Sequence, residues 1–264
     1  MNQSSENEWI TGVVTLSIQG EPIEMELTVP TRPVGLRRML PILQMMTNSF
    51  VEMSAEGAKK QGGKISCREG CGACCRQAVP LAETEAYQIA ELVENLPEPR
   101  RSEIKKRFAD GVKFFHEKNW FERMNHYGEL SPAERQEVVM EYFYENFPCP
   151  FLENESCSIH TERPLACREY LVTTPAECCA KPTAQTVKPI KILLKFSETL
   201  RQISLSENLD ERKINFVPLV RALEWAEIFP EKRAEKNGQE WMAEFFQKLT
   251  DSEIPVGEAK ARND

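Results

Sequence analysis

Alternation of period two opens the chain. Val14, Leu16 and Ile18 alternate with Thr15, Ser17 and Gln19. After Gly20-Glu21-Pro22, Ile23, Met25, Leu27 and Val29 alternate with Glu24, Glu26 and Thr28. One apolar and one polar face on each side of a Gly/Pro break predicts a β-hairpin over residues 9–30. A lone hairpin is marginal in water, so it must pack on helices or pair with another strand.

From Leu36 the period lengthens. Leu36, Leu40, Leu43, Met46 and Phe50 recur at steps of three and four, as do Ala86, Ile89, Ala90 and Val93, and then Ile104, Phe108, Val112 and Phe115. These are helix faces, and Pro97 and Pro99 separate the last two. Ser131-Pro132-Ala133-Glu134 is a helix start: an N-cap serine, proline in the first turn and a glutamate placed to close a capping box. Val138, Val139, Tyr142 and Phe143 then face the core, with Pro148 as the expected end.

Between Pro148 and Pro189 the period fails. Prolines fall at 148, 150, 164, 175, 182 and 189, so a ladder of backbone hydrogen bonds is not expected to hold this stretch. A metal knot would. Helical spacing resumes over 190–203, 217–228 and 239–249. The fold class expected is mainly α with a small β component (α+β). It is read as one domain over residues 1–264 built around a cysteine-rich metal knot: the hairpin at 9–30, a metal-binding core at 66–171 and C-terminal helices at 190–250.

Composition narrows the partners. Apolar residues make up 41% of the chain and charged residues 28%, a globular balance. With 41 acids against 33 bases the net charge is −8, which argues against nucleic acid or an anionic membrane as partner. Met1 to Glu8 carries no basic n-region and no apolar run follows it, so a cytoplasmic location is expected. There, clustered thiols mean metal or redox chemistry more often than disulfides, and the nine cysteines are an odd number.

Four of those thiols fall within nine residues, at Cys67, Cys71, Cys74 and Cys75. Gly70 and Gly72 weaken a regular helix there, so Cys67 and Cys71 are expected on a tight loop, with Cys74 and Cys75 opening the next turn. A chance cluster of buried thiols has no packing rationale. Adjacent side chains diverge, so Cys74 and Cys75 are expected to differ in role: one completes a first site, while the other serves a second site, packs inward or stays free.

The second block holds Cys149, Cys157 and Cys167. Phe151-Leu152 and Ser158-Ile159 flank Glu153-Asn154-Glu155 as a short hairpin presenting Cys149 and Cys157 together, and Arg163-Pro164 turns the chain to return Cys167. With His160 these form a sound zinc set of three thiolates and an imidazole; the bland alternative is a surface histidine. Cys178 and Cys179 are a further adjacent pair, as ligands or as incidental thiols. Arg68, Arg76, Arg163 and Arg168 stand where they could offset thiolate charge, or else decorate the surface.

These residues carry a resemblance. Cys-x3-Cys-x2-Cys-Cys at 67–75, Cys-Pro-Phe-Leu at 149–152, Cys-x-Ile-His at 157–160 and Arg-Pro-Leu-x-Cys-Arg at 163–168 together resemble the YkgJ-type cysteine-cluster family, over roughly Ser66 to Leu171. The resemblance implies a zinc- or iron-chelating domain with Cys67, Cys71, Cys74, Cys75, Cys149, Cys157 and Cys167 as metal ligands. Members often carry tyrosine where His160 stands, which counts against that imidazole.

The function expected is a metal-binding protein holding a 4Fe-4S iron–sulfur cluster, or zinc or iron ions, through thiolates of both blocks. Two other readings stand beside it. A similar cluster in flagellin lysine N-methylases suggests an iron–sulfur-dependent transferase acting on protein, with S-adenosylmethionine. A zinc-stapled module that binds a protein partner is the other. No nucleotide-binding glycine loop and no serine elbow is present.

Overall fold

A computed structural model describes residues 8–18, 20–183, 186–206, 214–231 and 234–250. The period-two segment forms strands β1 (Trp9–Ile18) and β2 (Glu21–Pro30), paired antiparallel. The register sets Leu16 against Ile23, Val14 against Met25 and Ile10 against Val29, so the apolar alternations share one face. The break is shorter than expected: Pro22 already lies inside β2, and the reversal uses Gly20 at φ +88°, where glycine carries no Cβ penalty.

That apolar face lies on helix α1 (Leu40–Lys60), which buries Leu40, Leu43, Met46 and Phe50 as its spacing predicts. A single 3₁₀ turn, Leu36–Met39, leads into it. Two later helices, α8 (Phe196–Ile203) and α10 (Gly238–Thr250), complete this first core, where Phe196 packs between Phe50 and Phe245 at centroid separations of 5.2 and 5.4 Å. Each such side chain contributes roughly 1.5–3 kcal/mol by burial.

A second core joins α2 (Glu83–Glu94), α3 (Arg100–Glu117) and α9 (Ala222–Ile228). The other side of α3 meets α4 (Trp120–Asn125) and α5 (Pro132–Tyr144) around Phe115, whose ring stacks on Tyr142 at 4.0 Å. The helix start at Ser131 forms as read: the Ser131 hydroxyl accepts from the Glu134 amide at 3.4 Å, and the Glu134 carboxylate accepts from the Ser131 amide at 2.8 Å. The helix ends at Tyr144 rather than at Pro148, and Asn146 turns the chain at φ +53°.

Three expectations shift. The helix expected from Ile190 begins at Phe196, because Ile190 donates to Leu171 O and Pro189 bridges Val172. The one expected from 217 begins with an extended pair, Val217–Pro218 (β7) against Pro80–Leu81 (β4), before turning helical. Proline disfavours helix at the residue before it, and here extended backbone is also paired. In Pro148–Pro189 the chain is held by short pieces: β5 (Leu152–Glu153) on β6 (Ser156–Cys157), α6 (Leu165–Glu169), α7 (Ala176–Ala180) and the Val172–Pro189 bridge. The remaining β pair joins β3 (Val34–Gly35) to β8 (Glu235–Lys236). The α+β class stands, with the hairpin beside a mostly helical body. Among the described residues no helix is long and apolar enough to cross a membrane.

Candidate metal centre

The first cysteine block wraps as a loop. Gly70 takes φ +78°, the Cys71 amide donates to Arg68 O at 3.2 Å, and Ala73–Arg76 form one 3₁₀ turn carrying Cys74 and Cys75. The second block is a knuckle. Leu152 pairs with Cys157, and Asn154 and Glu155 both take positive φ, as a two-residue hairpin turn requires.

The blocks meet directly. The Cys149 amide donates to Cys75 O at 2.7 Å. Arg76 grips Glu155 with both terminal nitrogens, at 2.7 and 3.1 Å, and donates to Gly72 O. Gly72 is where the loops press closest, since a Cβ there would lie 2.5 Å from Leu152 Cδ1 and 3.0 Å from Glu155 O. Cys167 arrives on α6, whose first turn is anchored by the buried Glu85: its carboxylate accepts from the Leu165 amide at 2.8 Å and from the Ala82 amide at 2.9 Å. Burial pushes the Glu85 carboxyl up to about 7.

All seven cysteines of the two blocks line one cavity of about 1180 Å³. Cys179 lines it too, 4% exposed, carried there by α7 packing on the 3₁₀ turn of Cys74 and Cys75. The Cys67 sulfur accepts from the Val172 amide at 3.3 Å. Among the described residues, no group of three or more Cys, His, Asp or Glu side chains is arranged to hold a metal ion. The metal knot expected from the sequence is thus not evident as a formed coordination shell; what the structure has is thiols around a shared space. Their chemistry fits a soft transition metal, for which thiolate is the preferred donor.

Burial favours the protonated form of five of the thiols. It pushes Cys149 up to about 12 and Cys179 to about 11, and raises Cys67, Cys157 and Cys167. Cys74 is raised by its hydrogen bond with the Cys75 thiol and then by burial. A divalent ion would have to displace these protons, since a coordinated thiol is deprotonated.

The four arginines near the cluster have separate roles. Arg163 lowers Cys67, Cys74 and Cys157, against the effect of burial, and its buried Nε has no hydrogen-bond partner. Arg76 is taken by Glu155. Arg168 is a buried clamp that donates to Arg163 O at 2.8 Å, to Asn48 Oδ1 at 3.0 Å and to Thr161 O. Arg68 is exposed. His160 lies exposed on the cavity rim, with its pKa lowered first by Arg163. Sequence reasoning left Cys179 open and missed Glu85. The one signal for Glu85 was its place three residues after the α2 N-cap, a capping position there filled without a hydroxyl partner.

Residues 66–183 match a protein family described as "CxxCxxCC: Putative zinc- or iron-chelating domain". No curated protein and no solved structure gives a significant match to the chain.

Proposed function

Residues 66–183 are a CxxCxxCC domain of the YkgJ type, and from that premise we propose that the protein binds zinc or an iron–sulfur cluster through Cys67, Cys71, Cys74, Cys75, Cys149, Cys157 and Cys167. One observation carries this reading: seven thiols from two blocks far apart in the chain line the same cavity. Packing alone gives no reason for that, because small apolar side chains would fill the space without the cost of aligning sulfur donors. Bound metal supplies the positive charge that holds the thiolates together. The chain's own residues do the rest. Gly70 and Gly72 let the first loop close on the second, Arg76 locks it to Glu155, and Arg163 faces the thiolate charge. The thiol protons leave when metal enters, so uptake strengthens as pH rises.

Anaerobic purification with metal analysis and absorption spectra tests the reading. Zinc, or iron with inorganic sulfide, is expected in the wild-type chain, and Cys71→Ser and Cys157→Ser are expected to lose it along with several kcal/mol of stability, since site formation is coupled to folding. Normal metal content and normal unfolding in both variants would remove the ligand assignment.

The cavity favours a second reading. At about 1180 Å³ it is of the size that takes an organic ligand, far more than an ion needs. In that reading the protein is an iron–sulfur-dependent enzyme, such as a transferase of the lysine N-methylase kind using S-adenosylmethionine. Intact masses of protein substrates with and without S-adenosylmethionine decide it. No mass change across a broad substrate set leaves the binding protein.

A further inference from the structure

We infer that the part of the cavity walled by α8, α10 and residues 190–195 binds an organic oxyanion, with Arg201 holding a carboxylate or phosphate head and Leu193, Leu194 and Leu249 taking an apolar body. The inference goes beyond the metal-thiolate reading and does not depend on it, since no cysteine takes part.

Arginines in this chain are otherwise held. Among the described residues, every arginine that is not exposed donates to a carboxylate or a carbonyl oxygen, except Arg163 and Arg201. Both line the same cavity, and the Nε of each is buried with no hydrogen-bond partner. A buried charged donor left unmet is costly, so such a group marks where an acceptor from outside the chain is wanted. Arg163 has the thiols before it, because it acts on Cys67, Cys74 and Cys157. Arg201 does not: the groups acting most strongly on it are Glu198, Glu85 and Glu169.

Those three carboxylates are committed elsewhere. Glu198 pairs with Lys195 at 2.9 Å, Glu85 accepts from the Leu165 and Ala82 amides, and Glu169 accepts from the Ser197 amide at 2.9 Å and the Ser197 hydroxyl at 2.5 Å. The wall beside Arg201 is cationic although the chain carries a net charge of −8. Lys191 and Lys248 stand exposed on it, and neither makes an ion pair among the described residues. A guanidinium fork meets a carboxylate or a phosphate at two points, and cations at the mouth draw the anion in. The half-buried Leu193, Leu194 and Leu249 supply the apolar lining that an organic ligand site needs beside its few polar groups.

The test is calorimetric titration of the full chain with hexanoate and with hexyl phosphate, beside hexanol and hexylammonium as uncharged and cationic counterparts. One of the two acids at least is expected to bind roughly tenfold or more tighter than hexanol, and the tighter acid identifies the head group. Hexylammonium is expected not to bind. Arg201→Gln should weaken the preferred acid by roughly tenfold and leave hexanol unchanged, while Arg201→Lys, which keeps the charge without the fork, should recover part of the loss. Equal binding of acids and hexanol would reduce the site to an apolar cavity and overturn the inference. So would binding of neither acid, or an unchanged acid affinity in Arg201→Gln. The comparison of the four probes on the wild-type chain needs no variant, so it decides the matter if Arg201→Gln does not fold. A chain that takes up no metal but binds the acid would sink the metal-thiolate reading and leave this one standing.

Discussion

The protein contains two hairpins built on opposite terms. The first, β1 with β2, pairs ten residues against ten, and its inward face is a run of apolar side chains pressed on α1 and α10. The knuckle, β5 with β6, pairs two against two. Its turn residues have positive φ, Arg76 holds Glu155, and Arg100 and Arg107 from α3 both hold Glu153. Phe151, edge-on to Phe108 at 5.4 Å, roots it in the second core, where Ile159 and Cys157 also pack. Many weak, non-directional contacts fix the first hairpin, and a few directional ones fix the second. A slip in the first would turn its apolar face to water; a slip in the knuckle would unseat the cysteines it presents.

Cutting the apolar face of the long hairpin should have the largest effect. Leu27→Ala removes a side chain 5% exposed in the first core, and a loss of about 2–5 kcal/mol in urea unfolding is expected. Metal stoichiometry of the folded fraction should not change; a drop in it would mean that the two hairpins are coupled through the core.

Glu85 between α2 and α6 comes next, and it is read through pH. Its folded value of about 7 lies above the ordinary 4.5, so the folded chain keeps a proton that the unfolded chain releases. The contribution is fully present below pH 4.5 and is lost as pH rises through 7. The loss amounts to roughly 3 kcal/mol. Glu85→Gln should flatten this fall when metal-free stability is compared between the two chains across that window. The same slope in both would show that Glu85 does not titrate there.

Pressing the two cysteine loops apart gives a smaller but more selective effect. In Gly72→Val the new side chain must displace Leu152 and the Glu155 carbonyl, for about 1–3 kcal/mol. Metal uptake should fall further than global stability does, and equal losses in the two would place the closeness of the loops outside the metal site. Smallest is the Arg76–Glu155 pair. Glu155 is exposed, so a double-mutant cycle with Arg76→Gln and Glu155→Gln is expected to give below about 1 kcal/mol despite the two-point geometry. A much larger coupling would show that the salt bridge, and not Phe151, carries the knuckle.

The sequence by itself determined the elements whose evidence is local. The faces of β1 and β2, the apolar stripes of α1, α2 and α3, the capped start of α5 and the loop around Gly70 all follow from side-chain period, proline and glycine, because neighbouring residues alone set those backbone states. The cysteine pattern likewise carried the resemblance to a family described as a zinc- or iron-chelating domain, whose model matches residues 66–183. Tertiary structure alone decided that Ile190 is bonded to Leu171 instead of starting a helix and that Val217 is extended against Leu81, since those partners lie far off in the chain. It decided that Arg76 is held by Glu155 while Arg163 faces the thiols, that Glu85 joins α2 to α6, and that Cys179 rather than Cys178 reaches the cavity. Each of these turns on which distant segments the folded chain brings together, and neither spacing nor propensity along one stretch carries that information.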